Sequence, residues 1–239
     1  MKDQMQIEIW SDVLCPFCYI GKRHFETALE QFEHRDNIEI IWKSYQLDPS
    51  KPEHTQDNYL NYLVKRKGMT EQQVKGMLAN VTQMAKQAGL NYHLDQCVIV
   101  NSMKAHTLIQ YAKTKALGDA AEERLFKAFF IEGKNIADLE TLRQLATEIG
   151  LDVAEVDQAF TDHKYKAMVQ QDIQEAQQIG VQGVPFFVLD RKYAISGAQP
   201  PKAFLENLNL AFAEWQEKNA VSELKTIQGD SCDVDGNCD

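Results

Sequence analysis

An α/β protein is expected, with one β-α-β unit and one α-β-β-α unit separated by an all-helical insertion. Three observations predict it. Residues 7–45 read as an apolar strand, an amphipathic helix and a second apolar strand. From about Thr55 to about Asp162 every apolar pattern has helical spacing, and no run alternates as a strand does. After Gly180 two short apolar runs flank the turn Asp190-Arg191-Lys192, and Pro200-Pro201 opens a last helix.

The elements follow in order. Ile7–Ser11 is the first strand. The helix from Pro16 sets Cys18, Gly21, Phe25, Ala28, Leu29 and Phe32 on one face, and its pattern runs to about Arg35. Ile38–Tyr45 is the second strand, ended by Asp48-Pro49 and Lys51-Pro52. A helix between two strands implies a parallel pair. In the insertion, Thr70 and Gln73 make a capping box. Behind it Val74, Met77, Leu78, Val81, Met84, Ala85 and Ala88 share a face that ends at Gly89. Further helices begin near Asn101, carry Leu125–Phe130, begin at Asp138, and begin at Asp152. The core pattern resumes with a helix over residues 164–179 whose inward side holds Met168, Val169, Ile173, Ala176 and Ile179. Strands Phe186–Leu189 and Tyr193–Ser196 form a hairpin, and the last helix buries Phe204, Leu208, Ala211, Phe212 and Trp215. The domain expectation is therefore a discontinuous core of residues 1–53 and 164–220, a helical insertion domain of residues 54–163, and a flexible cysteine-containing tail, 221–239.

Chemistry concentrates at Cys15-Pro16-Phe17-Cys18, between the first strand and the first helix. A thiolate there faces unpaired backbone N–H groups and the positive end of the helix, which lowers a thiol pKa. Cys15 is thus the expected attacking thiol and Cys18, one turn further in, the resolving one. Pro16 suits the first helical turn because its missing N–H breaks no helical bond. The same spacing also makes half a zinc site, with Cys232 and Cys238 as the remaining ligands. Those two are separated by five intervening residues in an acidic, turn-rich segment, and a zinc pair gains nothing from a helix start. No metal is expected.

Five cysteines in a chain of this length do not make a disulfide scaffold. Cys97, beside Val98-Ile99-Val100, reads as a small buried apolar residue. His106 reads as a polar residue near a helix start, or as a group that faces the dithiol; His24, Lys22 and Arg23 read as solvated helix surface. The formal net charge of −10 repels nucleic acid and anionic membranes, so neither is an expected partner. Residues 1–6 are polar and lead straight into a strand, without the apolar core of a signal peptide, so the expected setting is cytoplasmic.

Cys15-Pro16-Phe17-Cys18-Tyr19-Ile20-Gly21, the helical insertion and Gly183-Val184-Pro185-Phe186-Phe187 together resemble the DsbA-like branch of the thioredoxin superfamily, and within it the cytoplasmic FrnE-like group. Trp is usual in that group where Phe17 stands. The resemblance implies a thioredoxin-like fold with the all-helical insertion between the second strand and the following core helix. It implies a thiol–disulfide oxidoreductase acting on protein or small-molecule disulfides, with no metal or nucleotide cofactor and with glutathione as an allowed co-substrate. Cys15 and Cys18 are then catalytic, and Pro185 is a cis-proline facing them. Val184 and Pro185 would bind an extended substrate through the free Val184 N–H and C=O. Cys232 and Cys238 are expected as an auxiliary redox pair that exchanges with Cys15. A sister branch, with 2-hydroxychromene-2-carboxylate isomerase and kappa-class glutathione transferase, gives the alternative function; those enzymes typically place Ser where Cys15 stands. A non-enzymatic redox sensor or holdase is the third reading. The sequence leaves the oligomeric state open, a homodimer included.

Overall fold

The computed structural model describes residues 4–53 and 58–219. A four-stranded mixed sheet has the order β2-β1-β3-β4. β1 (Met5–Ser11) lies inside it, parallel to β2 (Ile38–Ser44) and antiparallel to β3 (Phe186–Leu189); β4 (Tyr193–Ser196) closes the hairpin. Strand alternation sorts β1 by face. Met5, Ile7 and Ile9 pack under α1 (Pro16–Gln31), with Phe187 of β3 and Phe204, Leu208 and Phe212 of the C-terminal helix. Phe25, Phe187 and Phe204 meet at centroid distances of 4.6–5.7 Å. Each fully buried ring of this kind contributes about 1.5–3 kcal/mol by leaving water.

The insertion holds α2 (Tyr59–Lys67), α3 (Glu71–Gln87), α4 (Met103–Lys113), α5 (Gly118–Phe130), α6 (Leu139–Glu148) and α7 (Val153–Thr161). Then come α8 (His163–Gln178), the hairpin and α9 (Pro201–Asn219). The caps are local. The Thr70–Gln73 capping box opens α3, and Asp138, Asp152 and Asp162 accept backbone N–H groups at the starts of α6, α7 and α8. Each such cap is worth about 1 kcal/mol. The apolar periodicity does not mark α2, although Asn58 caps it and Gly68, at φ 64°, ends it. The apolar face of α3 is narrower than its spacing suggests: Val74, Val81 and Ala85 are buried, whereas Met84 is 39% exposed. Ile179 is also exposed, one residue past the end of α8. α1 ends at Gln31, not Arg35, because Arg35–Asn37 form a separate 3₁₀ turn.

α8 covers the other sheet face. Trp10 packs against Ala176, Val181 and Val188, and its indole N–H donates to the Asp172 carbonyl at 2.9 Å. The Asp172 carboxylate accepts from Ser44 N at 2.9 Å and from Gln110 Nε2 of α4 at 2.5 Å, and lies 3.3 Å from Lys43 Nζ. One buried acid thereby ties β2, α4 and α8. Replacing it with Ala removes the acceptor from two buried donors. Asp172→Ala should lower the unfolding free energy by about 3–5 kcal/mol, measured in urea against wild type.

Candidate active site

Cys15 is the N-cap residue of α1, with φ −91° and ψ 113°, and no acidic residue stands in the first turn. The turn before it is tight: Cys15 N donates to the Asp12 carbonyl at 2.8 Å and Leu14 N to Asp12 Oδ1 at 3.2 Å. Cys18 N donates to the Cys15 carbonyl at 3.0 Å, and the two cysteines lie within 3.6 Å of each other as free thiols. Tyr92 holds the first turn by donating to the Pro16 carbonyl at 2.7 Å. Cys15 is 4% exposed and Cys18 1%. Burial pushes the Cys18 thiol well up from its ordinary pKa, and the neighbouring Cys15 adds to this; a backbone N–H of Asp12 and the Ser11 hydroxyl oppose it.

The Val184–Pro185 loop faces the dithiol, and its peptide bond is cis. The Cys15 thiol donates to the Val184 carbonyl at 3.4 Å. That carbonyl is therefore engaged by the reduced dithiol rather than free as expected; no described residue accepts the Val184 N–H. Pro185 returns its own carbonyl to Gly197 N at 2.8 Å. α1 can approach this loop because residue 21 is glycine: a Cβ there would stand 2.9 Å from Pro185 Cγ.

Behind the sulfurs lies a buried polar seam that the spacing did not reveal. Asp12 Oδ2 accepts from Leu47 N at 2.7 Å, and Asp12 Oδ1 faces His106 Nε2 of α4 at 3.4 Å. His106 is thus a buried partner of Asp12, not a polar residue at a helix surface. Burial alone would lower its pKa, but the Asp12 carboxylate, with Glu122 and Asp172 behind it, raises it. Ser11 donates to Glu122 Oε1 of α5 at 2.6 Å. Burial is the largest influence on Glu122 and pushes its pKa up to about 7. Asp12 and Ser11 break an apolar run in the sequence, which was a usable signal; Glu122 looks like any exposed helical Glu.

Two neighbours of the motif, Lys22 and Arg23, also depart from expectation. Lys22 is buried among Glu26, Asp119 and Glu123 rather than solvated. Arg23 pairs with Glu26 and Glu123 and covers the Tyr19 ring. His24 Nδ1 lies 2.9 Å from the Gln199 carbonyl. Cys97 is buried, donates to the Phe129 carbonyl at 3.1 Å, and is pushed up to a pKa of about 12 by burial and by Asp95. Cys232 and Cys238 lie outside the described residues. Among the described residues, no three His, Cys, Asp or Glu side chains converge as metal ligands would.

Against Leu14, the residue before Cys15, opens a cavity of about 350 Å³. Leu14, Tyr59, Leu63 and Ile99 give it apolar walls; Arg66 and Lys67 bring positive charge to it, and Lys51 there pairs with Asp48 at 3.6 Å. Most of these side chains stand on α2, the helix that the sequence left unmarked. Tyr59 also lies close enough to Cys15 to sense its charge. The Gly21 contact predicts a specific defect. Gly21→Ala must push Pro185 away, so it should cost about 1–3 kcal/mol of stability. It should also move the backbone amide resonance of Val184 in a nitrogen-15 spectrum, while those of α6 and α7 stay in place.

Comparison with known proteins agrees with this architecture. The family model described as DSBA-like thioredoxin domain matches residues 6–209. The crystal structure of a probable DsbA oxidoreductase from Streptomyces coelicolor superposes with a TM-score of 0.84 at 35% identity, covering 99% of each chain. An uncharacterized protein of Bacillus subtilis, YwbO, is 26% identical over 194 residues, 77% of this chain and 86% of that one. The cytosolic disulfide reductase DsbM of Pseudomonas aeruginosa shares the fold, with a TM-score of 0.62 at 16% identity over 87% of this chain and 99% of its own. Because the family model takes in the whole sheet, α1 to α8 and half of α9, this chain belongs to the family of DSBA-like thioredoxin domains.

Proposed function

We propose that this protein is a thiol–disulfide oxidoreductase in which Cys15 attacks and Cys18 resolves. The observation that carries the reading is the asymmetry of the two sulfurs. Cys15 stands at the N-terminus of α1 against the Val184 carbonyl, next in the chain to Leu14 of the cavity wall; Cys18 lies one turn further in, and burial pushes its thiol toward the protonated form. The positive end of α1 faces charge that develops on Cys15. Attack of the Cys15 thiolate on a substrate disulfide forms a Cys15–substrate bond and releases one substrate thiolate. Cys18 then attacks Cys15, forms the internal disulfide and releases the second thiolate, so the substrate gains the two electrons that the dithiol loses.

An extended substrate segment would pair with the Val184 N–H next to Pro185, as in strand addition. The apolar walls and cationic residues of the cavity suit a disulfide flanked by apolar groups and carboxylates, glutathione disulfide among them. We place this exchange in the cytosol, where such a pair is kept reduced, and assign the chain to the FrnE-like group. No helix among the described residues is long and apolar enough to cross a membrane. The isomerase or transferase alternative needs no second sulfur, and the dithiol argues against it. We also propose that Cys232 and Cys238 exchange disulfides with Cys15.

Cys15→Ser should abolish reduction of a model disulfide, and Cys18→Ser should accumulate mixed disulfides at Cys15. Iodoacetamide at pH 7 should label Cys15 well before Cys18 or Cys97, read by peptide mass spectrometry. Equal labelling of Cys15 and Cys18 would sink the assignment, and glutathione conjugation that survives Cys18→Ser undiminished would favour the transferase. For the tail, oxidised Cys18→Ser protein should yield a peptide joining Cys15 to Cys232 or Cys238. Deletion of residues after Gln228 should slow turnover; unchanged turnover makes the tail a bystander.

A further inference from the structure

The cavity walled by α2 holds polar groups that the described fold leaves without partners. Tyr59, Leu63, Arg66 and Lys67 fall at i, i+4, i+7 and i+8, one face of α2, and all four line it. Tyr59 is 6% exposed, yet no described residue hydrogen-bonds its hydroxyl. A buried donor of this kind wants an acceptor. Arg66 and Lys67 stand exposed in the last turn of α2, and neither pairs with a described carboxylate. The end of a helix carries only about half a unit of negative charge, which balances part of their two charges. The other charged groups of the cavity satisfy one another. Asp48 accepts from Ser50 Oγ at 2.6 Å and from Tyr62 Oη at 3.2 Å, and Lys51 Nζ lies 3.6 Å from it. In a chain of formal net charge −10, two cations and a buried hydroxyl are thus left facing one apolar cavity.

Size and chemistry together select the occupant. A volume of about 350 Å³ lies at the small end of pockets that hold small molecules, which run from about 300 to 1,000 Å³. Walls of Leu14, Leu63 and Ile99 suit an apolar body, and the two cations suit a carboxylate. The place is next to the chemistry. Leu14 precedes Cys15, and one buried cluster takes in Leu14, Cys15, Tyr59, Leu63 and Ile99. Burial first, and then the charge of Cys15, hold the Tyr59 hydroxyl well above its ordinary pKa, so it stays a donor.

We propose that this cavity receives one half of a low-molecular-weight disulfide substrate, a half whose apolar body, one ring or a short chain, carries a carboxylate. The carboxylate pairs with Arg66 and Lys67, the body lies on Leu14, Leu63 and Ile99, and the Tyr59 hydroxyl donates to the bound half. The proposal rests on the thiol–disulfide reading above and names the substrate class of that site. The Cys15 thiolate attacks the sulfur of the half held in the cavity. A Cys15–sulfur bond forms, the substrate S–S bond breaks, and the other half leaves as a thiolate with the bonding pair. Cys18 then attacks Cys15, the internal disulfide forms, and the held half leaves as the second thiolate. The substrate gains the two electrons that the dithiol loses, and the two thiol protons pass to solvent. Arg66, Lys67 and Tyr59 therefore govern which disulfide is taken, not the exchange itself.

The test uses the full chain, reduced, in stopped flow. Ellman's reagent, an aromatic disulfide with a carboxylate on each ring, is the probe. Dithiodipyridine, an aromatic disulfide without charge at neutral pH, is its control. The rate of the first thiol release is followed against probe concentration. Arg66→Ala combined with Lys67→Ala should raise the half-saturating concentration of Ellman's reagent roughly tenfold and leave the limiting rate in place. The dithiodipyridine reaction should not change. Arg66→Lys, which keeps the charge, should stay near wild type. Tyr59→Phe should raise the half-saturating concentration about threefold, the weight of one neutral hydrogen bond. In Cys18→Ser the thionitrobenzoate half stays on Cys15 as a mixed disulfide, and its ring protons should show nuclear Overhauser contacts to the methyl groups of Leu63 and Ile99. Ring contacts that miss both residues overturn the proposal and leave the dithiol reading intact. So does a double variant that leaves Ellman's reagent unaffected, or that affects both probes equally. A double variant that slows reduction of insulin but not of Ellman's reagent gives the cavity to a peptide and overturns the small-molecule assignment. Absence of thionitrobenzoate on Cys15 in Cys18→Ser overturns the dithiol reading itself.

Discussion

Burial of the first turn of α1 between two cores is the constraint on which the structure turns. One side of α1 packs Phe25, Ala28 and the C-cap residue Phe32 into the sheet core with Phe187, Phe204 and Phe212. The N-terminal side packs Cys18, Tyr19 and Ile20 into the core of the insertion. Tyr19 stacks on Phe126 at 4.9 Å, and Phe130 continues the stack to Tyr92, which reaches back to the Pro16 carbonyl. The helix start is therefore fixed by contacts from both sides, and its cap residue has little freedom to move. A reactive group gains from such fixity because no ordering remains to be done when substrate arrives.

The same burial brings charge into the interior. Buried ions persist when paired, and this fold pairs them across element boundaries. Lys22 meets acids from α1 and α5. Lys43 of β2 meets Glu8, Asp172 and Glu175, and Glu8 also pairs with Arg191. These clusters hold the sheet to the helices more by geometry than by net energy, since desolvation offsets much of the attraction. Among the described residues Glu122 has no such ion pair and accepts from the Ser11 hydroxyl instead.

The amino-acid sequence by itself determined the order of elements, the hairpin, the caps at Thr70, Asp138 and Asp152, and the place of Cys15 and Cys18 at a helix start. These are local matters: a strand shows in alternation, a helix in its spacing, and a cap in one side chain and a backbone group three residues on. Tertiary structure alone decided which helical positions are wet, and it left Met84 and Ile179 in solvent because no element lies over them. It also decided that α2 would wall a cavity against Leu14, that His106 would meet Asp12, and that Glu122 would meet Ser11 across 111 residues of chain. No local pattern separates Glu122 from its neighbour Glu123. What separates them is which face of α5 the end of β1 covers, and that is settled by the packing of two distant segments against each other.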